Sequence, residues 1–591
     1  MVNLSWRRIW PLALACAAFL FAFAIQLAAV LKATHGQQLF VLDDPYIHAS
    51  IAKNLLIYHT FGISPDTFAS VSSSILWPFL VAALFSLFGL HLWVMLALNV
   101  LLGLLALCLC HAVWRSLAPT VAPAVSSVLE AIVLLAIVMA GSLISLVFLG
   151  MEHILQFISV LSLLYAAVAV AKISAPARIP GRLLLWLYLS GLLAVMTRFE
   201  GAFAVCVACC FLFLEKRRSL AVLLAVVSAL PILLFGLYAV RHGGYFFPNS
   251  LLIKAIHGRP GMQGARNLLG HYPRSQGMAW IWLLACAELA LCFRFMERAI
   301  RRPSVQPALL IVLLTILHCQ FGSVGWAYRY EAYLVEMSLL ACGLLAADLL
   351  AEYARIAPSP EAAAKVSGFA IPVQLLLLIL GSAARIDHTW TVVRLGTLDI
   401  YEQQLQTARF LAEYYPHQAV AVNDVGVVSF LRSSPTLDLY GLGSDEVTRL
   451  IMKGQWNTAS MQQVTEKSGV RVAAIYDRWF SGKEKPPSSW VRVGQWTLPD
   501  FQVEPVVPGI KLSAPMGVVG WMTVSFYATN PAEAERLSAN LRSFSPCVPA
   551  PVLQQLQGET LHGGGACALN LASLDQPSLK AGAAPNVLMS K

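Results

Sequence analysis

The chain has 591 residues, of which 58% are hydrophobic and 12% charged, against roughly 25% charged in a soluble domain. That balance excludes a large soluble helical protein, and apolar stretches of about 17–25 residues, the length that crosses a bilayer core, recur along the first two-thirds of the chain. The formal net charge of +10 belongs to residues 1–384, with 24 Lys and Arg against 14 Asp and Glu, while residues 385–591 balance at 17 against 17. Basic loops mark the cytoplasmic side of a membrane protein, so this excess speaks of topology and not of nucleic acid.

Arg7 and Arg8 precede an apolar run from Pro11 to Leu31. The run exceeds the roughly 7–15 residues of a signal-peptide core and reads as an uncleaved first span with its N-terminus inside. Behind it stands VLDDPYIHASIAKNLLIYHTFGISPD, with Asp43 and Asp44 at the outer end of that span. Adjacent carboxylates repel each other and are costly to desolvate, which raises one pKa toward that of a working general base. The same pair also fits a solvated loop or a cation site. Ile47, Ile51, Leu55 and Leu56 then recur at helical spacing, as in a short helix lying in the membrane interface.

Further apolar runs fall near 75–90, 92–113, 125–147, 154–171, 183–197, 201–214, 220–240, 278–293, 305–321, 332–350 and 366–384. Basic clusters at 172–182, 216–218, 294–302 and 355–365 alternate with the spans from residue 154 onward. They place FLGMEH (148–153), TRFEG (197–201), the 241–277 loop, GWAYRYE (325–331) and the C-terminal region outside. Three runs separate the outer loop 32–73 from the outer segment 148–153, and an odd number of crossings cannot join two outer points. Either 75–90 is re-entrant or one run holds two short spans, so the expected count is about 11–13 spans.

Several ionisable groups stand at the outer ends of spans: Glu152 and His153, Arg198 and Glu200, and Arg329 and Glu331 with Tyr328 and Tyr330. Such groups are rare at that depth and face a cavity or pair with one another. Arg198 with Glu200, and Arg329 with Glu331, also read as structural ion pairs. The 241–277 loop carries Arg241, Lys254, Arg259, Arg266 and Arg274 with no acidic residue, which suits a phosphate group. There is no Cys-x-x-Cys, HExxH, EF-hand, P-loop or Rossmann pattern, so neither a metal nor a nucleotide cofactor is expected.

From about Arg385 polar residues become common, and QAVAVN (418–423), VRVAAIY (470–476) and GWMTVSFYA (520–528) read as strands. This gives a helical membrane region over 1–384, an α/β domain over 385–560 and a loose tail over 561–591. Ten of the 12 cysteines lie in apolar stretches. Cys547 and Cys567 lie in the polar region, where an extracytoplasmic setting would permit a disulfide.

Taken in order, DDPYI (43–47), GMEH (150–153), RFEG (198–201), FFPNSLLIK (246–254), RYE (329–331) and NDVGVVSFL…LDLYGLGSDE (423–446) resemble the motifs of GT-C superfamily membrane glycosyltransferases, similar to the mycobacterial terminal arabinofuranosyltransferase group. The resemblance spans residues 40 to about 450. It implies a polytopic α-helical membrane protein of GT-C type with a C-terminal extracytoplasmic α/β domain, in the bacterial cytoplasmic (inner) membrane. It also implies a polyprenyl-phosphate sugar donor, a glycan, lipid or protein acceptor, and no cofactor.

Carried over by position, Asp43 is the leading general base, and Asp44 positions the acceptor or takes over as base. Arg198, Lys254 and Arg329 would hold the donor phosphate, Glu152 and Glu200 would orient those cations, and His153, Asn249 and Tyr330 support them. Pro45 stands where the group usually has Ala, and Phe199 where Pro is common, which leaves the sugar open, with a pentofuranose among the candidates. Two rivals remain at this level. A transporter or flippase of a lipid-linked sugar would use mid-membrane acids such as Glu130 or Glu288, and a non-catalytic envelope assembly protein would use the outer domain for binding. Clustering of Asp43, Arg198 and Arg329 in one cavity favours the enzyme.

Overall fold

A chain segment inside a bilayer has no water to satisfy its backbone, so it must close its own hydrogen bonds. Each apolar run of the sequence accordingly forms a helix in the computed structural model, which describes residues 6–119, 122–173, 177–256, 278–499, 520–564 and 567. Among the described residues seven helices are long and apolar enough to cross a membrane, and shorter apolar helices stand beside them. Phe21, Leu101, Leu214, Leu234, Phe321 and Phe369 point outward from the bundle, a surface that only lipid can cover at tolerable cost. The protein is a multi-pass membrane protein with a C-terminal sheet domain.

The first helices settle the topology. Helix α1 (Trp6–Ala33) is followed by α2 (Asp44–Tyr58) and α3 (Leu76–Phe88). With 13 residues, α3 is about 20 Å long, too short for a core of about 30 Å. Both of its ends lie on the side of the sheet domain. At its start Ile75 N donates to Met196 O (3.0 Å), and near its end Phe85 meets Phe430 of the sheet domain at 6.4 Å between centroids. It packs along α2 and does not cross, as the re-entrant alternative required. Helix α4 (Leu92–Leu117) crosses, and α5 (Pro123–Met139) returns. A break at 140–142, with Ser142 at φ +68°, leads into α6 (Leu143–Leu149), which has only seven residues and extends the same passage. Val41 N then donates to Phe148 O (3.1 Å), so the first loop and the 148–153 segment share one side. Two passages, α4 and α5 with α6, therefore separate the first loop from the 148–153 segment, which resolves the odd count.

Helices α7 (His153–Ala171), α8 (Gly181–Thr197), α9 (Gly201–Leu214) and α10 (Arg218–Arg241) follow, with the short α11 (Asn249–Ile256) after them. Three further helices cover Met278–Phe295, Val305–Phe321 and Ala332–Ile356. The last apolar helix, Pro360–Asp399, runs unbroken through residues 384 and 385, where the sequence changes character, and carries the chain out of the bundle. A π turn at Ile400–Gln404 and the helix Leu405–Tyr414 then lead into a seven-stranded sheet of order β2-β1-β3-β5-β4-β6-β7. β1 (Val420–Val422), β2 (Thr436–Asp438) and β3 (Val472–Ile475) are parallel, and β5 (Thr523–Ala528) joins them antiparallel. These include the three strands read from the sequence. β4 (Val491–Thr497), β6 (Leu553–Leu556) and β7 (Glu559–Leu561) complete the sheet. Cys547 and Cys567 form a disulfide. Residues 568–591 of the tail lie outside the described residues.

One helix fastens the sheet domain to the membrane part. The β1–β2 crossover contains the helix Gly426–Leu431, which lies on α2. At its N-terminus the Asp43 carboxylate accepts from Gly426 N (2.5 Å) and Val427 N (2.8 Å). At its C-terminus the buried Lys53 ammonium donates to Ser429 O (2.9 Å), Phe430 O (2.8 Å) and Arg432 O (2.6 Å). An anion at the amide end and a cation at the carbonyl end both complement the helix dipole. Gly426 is required here, since a Cβ would stand 2.1 Å from Asp43 O.

Lys53→Met keeps the apolar stem and leaves buried carbonyls without a donor, at about 1–3 kcal/mol for each orphaned group. Limited proteolysis of the full chain in detergent should therefore cut between the bundle and the sheet domain faster in Lys53→Met than in wild type. Equal cleavage rates would remove Lys53 from the docking contact.

Candidate active site

A cavity of about 500 Å³ opens where the bundle meets the sheet domain. Asp43, Asp44 and His48 come to it from α2 and its cap, Ser72 and Ser73 from the α2–α3 loop, and Ser250 from α11. Trp326, Arg329 and Tyr330 come from the loop before the helix Ala332–Ile356. The sheet domain supplies Asn423, Asp424, Tyr440, Trp479 and Trp521. With Met151 of GMEH, five of the six sequence motifs thus meet at one place, RFEG being the exception.

The two adjacent aspartates part company because successive residues of a helix point about 100° apart. Asp43 is buried against the helix Gly426–Leu431. The Asp44 side chain keeps 32% of its surface exposed and lies 3.2 Å from Arg329 Nη2. Arg329 is otherwise buried. Its Nη2 also donates to Tyr330 Oη (3.0 Å), its Nη1 lies 3.2 Å from Met151 Sδ, and the guanidinium stands 4.9 Å from the Tyr330 ring centroid. Arg329 Nε is buried without a hydrogen-bond partner. The Arg329–Glu331 ion pair open from the sequence does not form, because Glu331 turns to Arg385 (3.3 Å).

Arg198 stands one layer behind the cavity wall. Its guanidinium binds Glu152 Oε1 (2.8 Å) and Glu200 Oε1 (2.9 Å), meets His153 Nε2 at 3.2 Å, and lies 5.5 Å from the Tyr330 ring. Two carboxylates already surround it, so it braces Tyr330 from behind and does not line the cavity. Glu152 reaches forward to His48 Nε2 (3.6 Å), and His48 Nδ1 meets Ser72 Oγ at 3.2 Å, so this buried network ends on the wall. Asn249 donates to Leu442 O (3.2 Å) and Asp445 Oδ1 (2.6 Å), which fastens α11 to the sheet domain. The Lys254 side chain and Arg259, Arg266 and Arg274 lie outside the described residues. Of the two acids a transporter would use, Glu130 is engaged by Arg115 (2.6 Å) and by His111, and Glu288 is buried on the helix Met278–Phe295; neither lines the cavity.

Sequence reasoning did not single out Asp424, although it lies within the NDVGVVSFL motif. It accepts from Gln404 Nε2 (3.0 Å) and Tyr476 Oη (3.1 Å) and sits beside Asp43. Burial, and then the neighbouring Asp424 charge, pushes the Asp43 carboxyl well above the usual carboxylate range, and burial raises Asp424 as well. Two buried carboxyls this close share a proton. Trp326, Tyr440, Trp479 and Trp521 carry no sequence signal either, since isolated aromatics outside a periodic element have no spacing to read.

No curated protein sequence matches the chain. Residues 396–527 match the model of a family described as a domain of unknown function, DUF8728. Among solved structures, the chain is similar to the oligosaccharyltransferase of Archaeoglobus fulgidus, at 12% identity over 86% of this chain and 75% of that one, with a TM-score of 0.49. It is also similar to ArnT from Cupriavidus metallidurans bound to undecaprenyl phosphate, at 14% identity over 87% and 98%, with a TM-score of 0.48. The arabinofuranosyltransferase AftD from Mycobacteria is similar at 15% identity over 87% of this chain and 40% of that one, with a TM-score of 0.41.

The acid pair gives the junction a pH dependence. A carboxyl whose folded pKa exceeds its unfolded value contributes stability that is complete below the unfolded pKa and is lost as pH rises through the folded one. Lys53 works the other way: burial, with Arg432 beside it, pushes its ammonium down to about 7, so its contribution grows with pH. Asp424→Asn removes both the repulsion between the carboxylates and the titration of Asp424 itself. Between about pH 5 and about pH 8 the variant should lose less thermal stability than wild type, measured by unfolding midpoints in detergent. Parallel curves would show that the two acids do not share a proton.

Proposed function

We propose that the protein is a membrane glycosyltransferase that moves a sugar from a polyprenyl-phosphate donor to a hydroxyl of a glycan, lipid or protein acceptor at the outer face of the bacterial inner membrane. The observation that carries this reading is the meeting of a cavity-facing carboxylate, Asp44, with the buried cation Arg329 at 3.2 Å, in a cavity walled by Trp326, Tyr330, Tyr440, Trp479 and Trp521. Aromatic faces suit the apolar faces of a sugar ring, and Tyr and Trp add a polar edge for its hydroxyls. The motif resemblance to GT-C glycosyltransferases supports the same chemistry. The Cys547–Cys567 disulfide and the basic loops on the opposite side support an extracytoplasmic sheet domain.

The reaction needs two charges close together. A base takes the proton of the acceptor hydroxyl as its oxygen bonds the anomeric carbon, and the bond from that carbon to the phosphate oxygen breaks, leaving polyprenyl phosphate with one more negative charge. Arg329 stands where that charge develops, and fixed positive charge there lowers the barrier. Asp44 is the better placed base. Both Asp43 oxygens already accept backbone amides, whereas Asp44 opens to the cavity. Asp43 and Asp424 then form the floor of the site and fasten it to the sheet domain.

Single-turnover rates with a synthetic polyprenyl-phosphate sugar, normalised to folded protein, test the assignment. Asp44→Asn should abolish transfer while donor binding persists, because an amide cannot accept the proton. Arg329→Ala should slow the chemical step by about 10²–10³, the loss seen when one preorganised donor is removed. Arg329→Lys should recover only part, because an ammonium lacks the planar fork. Full turnover in Asp44→Asn would return the base to Asp43 or Asp424, and wild-type rates in Arg329→Ala would remove Arg329 from the site.

A further inference from the structure

Residues 325–328 form a left-handed turn. The φ angle is +82° at Gly325, +50° at Trp326, +57° at Ala327 and +58° at Tyr328. Only glycine enters this region without penalty, and three successive residues with a Cβ stay there only where the surroundings hold them. The turn separates two residues that line the cavity, Trp326 and Arg329. A relaxed right-handed turn would send their side chains in other directions.

Arg385 holds this turn. It is fully buried on the helix Pro360–Asp399, and its guanidinium donates in three directions: Nη2 to Tyr328 O (3.2 Å), Nε to Ala140 O (2.9 Å) and Nη1 to Glu331 Oε1 (3.3 Å). The guanidinium also stands 4.8 Å from the Tyr328 ring centroid. The other Glu331 oxygen accepts from Gly325 N (2.8 Å). Glu331 thus closes the turn at its start and Arg385 at its end, and Ala140 ties both to the break between α5 and α6. Arg385 does not line the cavity.

We propose that Arg385 is a positioning residue for the transfer reaction, holding with Glu331 the left-handed turn that presents Trp326 and Arg329 to the cavity. This rests on the glycosyl-transfer reading for its consequence, but the turn can be tested without it. A lysine at 385 keeps the charge and cannot reach three divergent acceptors at once. A glycine at 327 removes part of the backbone penalty, so it should compensate for a weakened brace.

The test compares wild type, Arg385→Lys, Glu331→Gln and the double variant Arg385→Lys/Ala327→Gly as full chains in detergent. Hydrogen exchange in the segment 324–331 should rise in Arg385→Lys with the rest of the chain unchanged, and less in Glu331→Gln, which keeps an acceptor for Gly325. Transfer in Arg385→Lys should slow by between about tenfold and about a hundredfold, the range a small misplacement produces. Acceptor KM should hold, and the double variant should regain part of both local protection and rate. Unchanged exchange in 324–331, or exchange raised throughout the chain with no rescue, would overturn the proposal. Absence of sugar transfer by wild type would instead overturn the functional reading, while the exchange data still decide whether Arg385 holds the turn.

Discussion

The structure depends on the grip of α2 on the helix Gly426–Leu431. The cavity draws its wall from both the sheet domain and the bundle, so their relative placement sets its shape. Asp43 and Lys53 solve this with an acceptor and a donor on one helix, each placed at the end of the partner helix whose free backbone groups it satisfies. The cost of burying either charge is offset only while the backbone groups are there to receive it. Undocking would expose a mismatched pair, so the contact is held in one register. Asp44 inherits its place from this arrangement, because the residue that anchors the helix fixes the orientation of the next one.

Charge is sorted by depth around the cavity. Arg198 and Arg385 sit behind the wall with their carboxylates, Glu152 and Glu200 for the first and Glu331 for the second. Each braces aromatic or backbone groups that reach the wall. Arg329 alone among these three arginines faces the cavity, and its carboxylate partner is the one that remains partly exposed. Buried pairs of this kind contribute little net stability. Their value lies in geometry, since a guanidinium fixed on several sides holds Tyr330 or the 325–328 turn where a flexible side chain would let it drift. The strain in that turn follows the same logic, being local and next to residues that line the cavity.

Much of this was legible in the sequence. Hydropathy marked the apolar helices seen among the described residues, because the bilayer leaves no alternative to closed backbone hydrogen bonding. The parity conflict between residues 75 and 147 was itself a correct signal, since α3 is apolar but lies on the domain side without crossing. The strands at 420–422, 472–475 and 523–528 followed from alternation and β-branched content. The resemblance puts Asp43 ahead of Asp44 as base. Both reach the cavity, and how far each carboxylate is already engaged depends on where the sheet domain docks, a contact between residues 43 and 426 that no local pattern encodes. The pairing of Arg198 with Glu200 and the bracing by Glu152 were both open to sequence reading and form in the structure; that this leaves Arg198 behind the wall and not on it was not legible.

Mass analysis of envelope glycans and lipids from a strain lacking the protein tests the central claim most directly. The account predicts the loss of one defined glycosyl substituent, accumulation of its polyprenyl-phosphate donor, and restoration of both by the wild-type gene but not by one encoding Asp44→Asn. An unchanged envelope would contradict it, as would full restoration by the Asp44→Asn form.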